Sequence, residues 1–349
     1  MAVELALLAG YTTGDQAAHV TAEAKPPVAA RQEKKQQEKR EKAEPGTPVE
    51  RYGTLRVCGT HLCSEAGTPV QLRGMSSHGT HWYGRCLVGG ALDVLAKDWK
   101  SSVVRIAVYA DKNGYQSDPK KFVDLASRLI DMVSARGMYV IVDWHWVDAG
   151  DPNIGLHHAK NFFREIARRH RHKSNVIYEI LSEAYQASWW MIKRFAENVI
   201  PVIRAQNRDT VILVGTRGWS TFGLSEYGDE REVVANPVHA SNVMYTYHFY
   251  ALAHRDKFLK MLDRVSSKLP VFVTEWGTQS WDDRGNDFAM AQRYVDLMAR
   301  KKISWTNWSI ADGDGDGEIF RKGVCDGGRF AGTRVLKPAG VWIRERVRG

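Results

Sequence analysis

The feature that most constrains the fold is a set of eight short runs, each apolar almost without interruption. They are "VQLRGMS" (70–76), "SSVVRIAVY" (101–109), "MYVIVDWHW" (138–146), "VIYEIL" (176–181), "TVILVGT" (210–216), "NVMYTYHFY" (242–250), "PVFVTEWG" (270–277) and "ISWTNWS" (303–309). A strand with one wet face alternates apolar and polar residues. Runs like these suit strands covered on both faces, as in a parallel sheet. Most of the segments between them have helical periodicity. In "PKKFVDLASRLIDMVSARG", Phe122, Leu125, Leu129, Ile130 and Val133 share one face, and Gly137 follows the end. "RDKFLKMLDRVSSKL" and "DFAMAQRYVDLMARKK" behave the same way. Strand followed by helix, eight times over, predicts an α/β chain closed into a (β/α)8 TIM barrel.

Ahead of the first run, "YGTLRVCGTHLCSEAGTPVQLRG" alternates and turns like a small β-hairpin. Residues 1–49 are different in kind. "AKPPVAARQEKKQQEKREKAEPGTP" has almost nothing to bury, cannot offset its ordering entropy, and reads as a disordered, low-complexity leader. The very first residues, "MAVELALLAGYTTGDQAA", look like half of a signal peptide. The apolar part is short, is interrupted by Glu4, and has no basic residue before it. The expected organisation is therefore a leader over 1–49 and one barrel domain over 50–349.

Composition narrows the class. The 349 residues are 44% hydrophobic and 26% charged, an ordinary globular balance. No stretch approaches the ~20 apolar residues of a membrane span. The formal charge of +9 does not come from the leader, because residues 1–50 carry net −1. The basic residues are scattered over helices without a nucleic-acid motif. We expect neither a nucleic acid nor a membrane as partner.

Four cysteines are present, none at zinc-ligand spacing. Cys58 and Cys63 flank a turn at Gly59-Thr60. Their register places them diagonally, about 7–8 Å apart, too far for an easy bridge. Cys86 and Cys325 can meet only if the first and last strand loops are neighbours, which leaves their pairing open.

In a barrel of this kind chemistry is placed at the C-terminal ends of the strands. Those ends carry Arg105 and Tyr109; Asp143, Trp144 and His145; Ser182 and Glu183; His248, Phe249 and Tyr250; Glu275; and Trp308. Taken singly, each has a structural explanation. Glu183 could pair with Arg105, either histidine could be a satisfied core residue, and Trp308 could be packing. Together, acids, imidazoles and aromatics converge on one face from distant parts of the chain. Two carboxylates opposed across a barrel mouth suit glycoside hydrolysis, one protonating the leaving oxygen and the other attacking the anomeric carbon or activating water. Trp and Tyr faces suit the apolar faces of sugar rings.

At this point "VQLRGMSSHG", "YVIVDWH", "DPNI", "NVIYEI", "VIPVIRA", "SNVMYTYHFYA", "FVTEWGT" and "ISWTNWS" closely resemble the cellulases of glycoside hydrolase family 5, in particular bacterial-type endo-β-1,4-glucanases. The resemblance covers about residues 50–349. It implies a retaining endo-β-1,4-glucanase that acts on cellulose, carboxymethylcellulose or mixed-linkage glucan, as a secreted monomer without metal or cofactor. Glu183 takes the place of the acid/base and Glu275 that of the nucleophile. Arg105 supports the nucleophile, and Tyr250 hydrogen-bonds near it. His145 and His248 line the reacting subsite, with Trp308 as its platform. His78, Trp82 and Tyr109 fall on the glycone side, and Trp219 on the leaving side.

The chain departs from the family at two places. The family's Asn-Glu-Pro is here Ser182-Glu183-Ala184. The family Asn holds the sugar 2-hydroxyl, and Ser is shorter by an amide. Loss of the Pro also frees the backbone behind the acid. After Trp308 the family often has a lysine that reaches a glycone-side sugar, and Gly313 stands in its place. The run Asp312-x-Asp314-x-Asp316-Gly317 resembles the start of a calcium loop, but the twelfth position is Gly323 rather than Glu, so a Gly/Asp-rich flexible loop is expected. These departures keep alternatives open. One is slow activity, a second is a non-catalytic carbohydrate-binding paralogue on the same barrel, and a third is a β-glucanase or mannanase of shifted specificity.

Overall fold

The computed structural model describes residues 46–349. The signal-like segment and the charged leader lie outside the described residues, except for 46–49. Those four residues are ordered: Thr47 and Glu50 form a reciprocal cap on the short helix α1 (Pro48–Tyr52). The Val49 N–H donates to the Gly137 carbonyl. A hairpin of β1 (Arg56–Cys58) and β2 (His61–Cys63) follows.

Eight parallel strands then close a barrel: β3 (Arg73–Ser77), β4 (Val103–Tyr109), β5 (Tyr139–His145), β6 (Val176–Glu179), β7 (Ile212–Val214), β8 (Val243–Tyr250), β9 (Val271–Gly277) and β10 (Trp305–Ile310). Each corresponds to one of the eight apolar runs. The helices α2 (Gly89–Lys97), α3 (Pro119–Ser134), α4 (Leu156–Arg169), α5 (Trp189–Arg204), α6 (Arg231–Ala235), α7 (Asp256–Val265), α8 (Phe288–Arg300) and α9 (Pro338–Arg348) follow successive strands. No helix among the described residues is long and apolar enough to cross a membrane.

Two apolar cores result. The larger lies between strands and helices, with Trp144, Phe162, Phe163, Trp276 and Tyr294 among its members. The smaller fills the lower barrel with Val103, Tyr139, Ile141, Ile177, Leu213, Met244 and Phe272, and the hairpin residues Leu55 and Leu62 join it. Inward positions recur every second residue along a strand. One step above the apolar layer, β4, β5 and β6 therefore present Arg105, Asp143 and Glu179, all fully buried. The barrel is apolar below and ionic above.

The cysteine expectations are corrected here. Cys58 and Cys63 are bridged, with Cα atoms 6.0 Å apart. The register is the expected diagonal one, Cys58 opposite His61 and Cys63 opposite Arg56. The strong twist of a two-stranded ribbon departs from flat-sheet spacing and shortens one diagonal. Cys86 and Cys325 are also bridged, at a Cα separation of 4.8 Å. Closure of the barrel puts β10 next to β3 and makes their following loops neighbours.

Candidate active site

The base of the site is an ion cluster around Arg105. Its Nε donates to Glu179 Oε2 at 2.6 Å and its Nη1 to Glu275 Oε2 at 3.1 Å. Nη2 meets Asp143 Oδ2 at 2.9 Å and donates to Ser182 Oγ at 3.0 Å. Glu183, the partner considered from sequence, is not among these, and Glu179 occupies that place. A buried guanidinium held by three carboxylates is fixed in position, because loss of any partner strands a charge in a low dielectric. Burial alone would raise the Glu179 carboxyl, but Arg105 and the nearby His248 outweigh it and hold it well below the usual range. Asp143, which also bonds His145 Nδ1 at 2.8 Å, is pushed up by burial more than Arg105 pulls it down.

Glu275 reaches the cluster because of a bulge. β8 and β9 pair as Thr246↔Phe272 and then as His248↔Glu275, so β9 has one residue more over that step. The extra residue turns both Thr274 and Glu275 inward. The Thr274 hydroxyl donates to Glu179 Oε1 at 2.7 Å. The Tyr250 hydroxyl donates to Glu275 Oε1 at 2.6 Å. Both oxygens of Glu275 are thus held by donors, which fixes the orientation of the carboxylate.

Glu183 stands beyond β6, which ends at Glu179 rather than at Leu181. It keeps 15% of its side chain exposed. Its N–H donates to the Trp146 carbonyl at 2.9 Å, and the Gly150 N–H donates to the Tyr185 carbonyl at 2.9 Å. The loop after β5 therefore ties the backbone on both sides of Ala184, in place of a proline's restraint. His248 Nδ1 lies 2.7 Å from Glu183 Oε1, and its Nε2 lies 2.8 Å from the Thr274 hydroxyl. Burial would lower His248, but the Glu179 carboxylate 3.8 Å from Nε2 and the hydrogen bond to Glu183 raise it to about 9. Burial likewise would raise Glu183, and His248 overrides it and holds that carboxyl below its ordinary value. One oxygen of Glu183, one of Glu275 and a nitrogen of His248 all lie within 4.8 Å of one another.

Five predicted residues form a closed circuit of rings on one side of the carboxylates. Trp308 lies 4.8 Å from His78, His78 5.7 Å from Trp82, and Trp82 4.9 Å from Tyr109. Tyr109 lies 4.3 Å from His145, which stacks on Trp308 at 5.7 Å. Burial pushes His78 down to about 4, so the ring is neutral at ordinary pH. Trp219 is apart from this circuit. It stacks on Tyr185 at 4.5 Å and lines a cavity of about 530 Å³ with Glu183, His248, Tyr250, His254 and Trp281. Ser182 is fully buried, its hydroxyl turned towards Arg105.

At Gly313 a Cβ would meet the Tyr83 hydroxyl at 2.3 Å and Glu318 at 2.6 Å, so any larger residue there would have to displace those two side-chain ends. The loop is tied down rather than flexible. Lys337 Nζ donates to the carbonyls of Gly313 at 2.7 Å and Gly315 at 2.6 Å. Asp283 Oδ1 accepts from the Gly317 N–H. The Lys337 ammonium lies against the carbonyls of the stretch that partly resembles the start of a calcium loop.

Sequence reasoning missed Glu179, His254, Tyr185 and Trp281. Glu179 was findable: an acid inside "VIYEIL", a run read as buried on both faces, requires a buried cation. The other three sit on loops, with no periodic pattern to expose them.

Residues 63–314 match the family described as Cellulase (glycosyl hydrolase family 5). Endoglucanase E-5 of Thermobifida fusca is 53% identical over 304 residues, 86% of this chain and 65% of that protein. Endoglucanase MaCel5A of Microbulbifer sp. is 46% identical, over 86% of this chain and 59% of its own length. The chain thus spans about two-thirds or less of these relatives. The crystal structure of the catalytic domain of Thermobifida fusca endoglucanase Cel5A superposes with a TM-score of 0.85 at 52% identity, covering 87% of this chain and all of that one. A variant of that domain has been solved with cellotetraose.

Proposed function

The chain belongs to glycosyl hydrolase family 5, and on that premise we propose that it is an endo-β-1,4-glucanase that cleaves internal β-1,4-glucosidic bonds with retention, Glu275 as nucleophile and Glu183 as acid/base. The observation that carries this reading is the carboxylate pair at the barrel mouth. Their nearer oxygens, within 4.8 Å, suit the close gap of a retaining pair, about 5–5.5 Å between carboxyl groups, better than the wider inverting one.

In the first step a Glu275 oxygen bonds to the anomeric carbon as the bond to the leaving oxygen breaks. The proton of Glu183 passes to that oxygen. Arg105 and Tyr250, each donating to one Glu275 oxygen, hold it aimed beforehand. Glu183 and His248 hold one proton between them along a 2.7 Å hydrogen bond, and the pair rather than either residue titrates. A shift along that bond puts the proton on Glu183 when the leaving oxygen needs it. Once Glu275 is esterified its charge is gone, and Glu183 can take the proton of an incoming water. The water oxygen displaces Glu275 and restores the starting state.

The ring circuit supports a glycone site on the Trp308 side. The substrate class we infer is soluble or amorphous β-1,4-glucan. Export is part of the reading, since the polymer lies outside cells and the two disulfides suit an oxidising compartment. The chain is taken to act as a monomer. Ser182 under Arg105 favours a second reading, a slow or binding-only barrel. The test is reducing-sugar release from carboxymethylcellulose and barley β-glucan. Wild type is expected to be active, and Glu275→Gln to lose on the order of 10⁴-fold or more. Wild type no better than Glu275→Gln, while still binding cello-oligosaccharides, would leave only the second reading.

A further inference from the structure

His254 lines the cavity on the Glu183 side and has no part in the steps above. It is held more completely than a lining residue requires. Its backbone N–H donates to the Tyr250 carbonyl at 2.7 Å, and its own carbonyl accepts from the Tyr294 hydroxyl at 3.0 Å. Its ring stacks on Phe258 at 4.1 Å. Most informative, Nδ1 accepts the Tyr250 backbone N–H at 3.0 Å. An amide N–H can only donate, so Nδ1 carries no proton. That excludes both the Nδ1–H tautomer and the imidazolium, and places the ring's single proton on Nε2. Burial agrees that the ring is neutral, pushing His254 down to about 4 even against the attraction of Glu183.

We propose that His254 is a specificity-determining residue for the leaving-side sugar: its fixed Nε2–H donates to a hydroxyl of the pyranose that departs, with Trp281 and Trp219 as apolar faces of the same site. This deepens the glucanase reading and rests on it. The chemistry explains the device. His248 can return its proton to Glu183 along their hydrogen bond, whereas a second cation at this place, with no such bond, would only hold Glu183 ionised and oppose its service as an acid. A neutral donor binds a hydroxyl oxygen without that effect, and one fixed tautomer needs no reorganisation when sugar arrives. Trp281, 73% exposed, and Trp219, 39% exposed, keep faces available for stacking.

The experiment compares two substrates on the intact chain. Cellopentaose places sugar on both sides of the cleaved bond; an aryl cellobioside has a phenol as its leaving group and no sugar there. His254→Phe keeps a ring against Phe258 and removes the donor. It is expected to lower kcat/KM on cellopentaose about 10-fold and to leave the aryl cellobioside within about 2-fold, with an unchanged pH profile on the latter. His254→Gln can place an amide N–H near the position of Nε2, and is expected to recover part of the loss. Equal losses on both substrates, or no loss on cellopentaose, would overturn the inference. If His254→Phe does not fold, the same substrate contrast in His254→Gln against wild type decides: a deficit confined to cellopentaose supports the assignment, and any other pattern overturns it. Wild type inactive on both substrates would instead remove the glucanase reading, and the inference with it.

Discussion

The two sides of the cleft are built by opposite means. The Trp308 side is a closed circuit of five rings packed 4.3–5.7 Å apart. Three of them, Tyr109, His145 and Trp308, belong to barrel strands, and none of the five has a positive φ. The Trp219 side stands on loops. Gln186, Trp219, Ser220, Phe222 and Tyr227 all have φ between 53° and 60°, left-handed values that cost non-glycine residues of order 1 kcal/mol or more. Tyr227 is fully exposed. One side inherits its precision from the barrel. The other has to be held locally, through contacts such as the Gln186 N–H to Glu226 and Arg217 to Glu226 and Glu232. The difference teaches which wall of the proposed sugar cleft is rigid and which can be retuned without disturbing the carboxylates.

The strongest way to break that comparison is to remove what the rigid side stands on. Arg105→Met leaves Asp143, Glu179 and Glu275 without their shared cation. The expected loss is about 3–5 kcal/mol of stability, read as a fall in unfolding midpoint of roughly 5–15 °C, together with loss of activity on every substrate. A variant with an unchanged midpoint would show that the ring circuit holds itself and that the ion cluster is incidental to it.

A gentler probe is pH. The His248 pKa in the folded chain, about 9, exceeds its unfolded value near 6.5. Its contribution to stability is therefore complete below pH 6.5 and is lost as pH rises through 9. The loss could reach as much as roughly 3 kcal/mol, at ~1.4 kcal/mol per pH unit. Chemical-denaturation midpoints measured from pH 6 to 10 should fall over that window. The fall should flatten in His248→Gln, which keeps a donor but does not titrate. The same slope in both proteins would place the alkaline loss elsewhere.

What was legible in the sequence divides along the same line. The eight strands were readable because burial on both faces leaves continuous apolar runs, and no tertiary detail is needed to see them. Residues at strand ends, from Tyr109 to Trp308, came with them, since a strand's end fixes its neighbours' place in the barrel; Arg105, expected at an end, is the third residue of β4 and reaches the site from within the barrel. The β9 bulge was not legible as such, although its trace was: "VTEWG" puts two polar residues in succession where alternation allows one. Glu179 left a trace as well, a lone acid inside the apolar run "VIYEIL". His254 and Trp281 were hidden because loop geometry depends on contacts that carry no period, such as the Tyr250 amide on His254 Nδ1. The Cys58–Cys63 bridge was misjudged because flat-sheet distances do not describe a twisted two-strand ribbon.

The finest test sets one tryptophan from each side against the other. Trp308 is 8% exposed and touches both His78 and His145. Trp308→Ala removes a platform and opens the circuit, and about 2 kcal/mol of lost sugar contact corresponds to a fall of about 30-fold in kcat/KM. On the proposed reading its site is filled by any substrate, so the fall should be the same on cellopentaose and on an aryl cellobioside. Trp281 is 73% exposed and joins no ring contact among the described residues. Trp281→Ala therefore loses less, about 3-fold, or roughly 0.6 kcal/mol, and only where sugar occupies the leaving side. Equal losses for the two variants on both substrates would mean that the cleft behaves as a single wall, and the division between strand-built and loop-built recognition would fail.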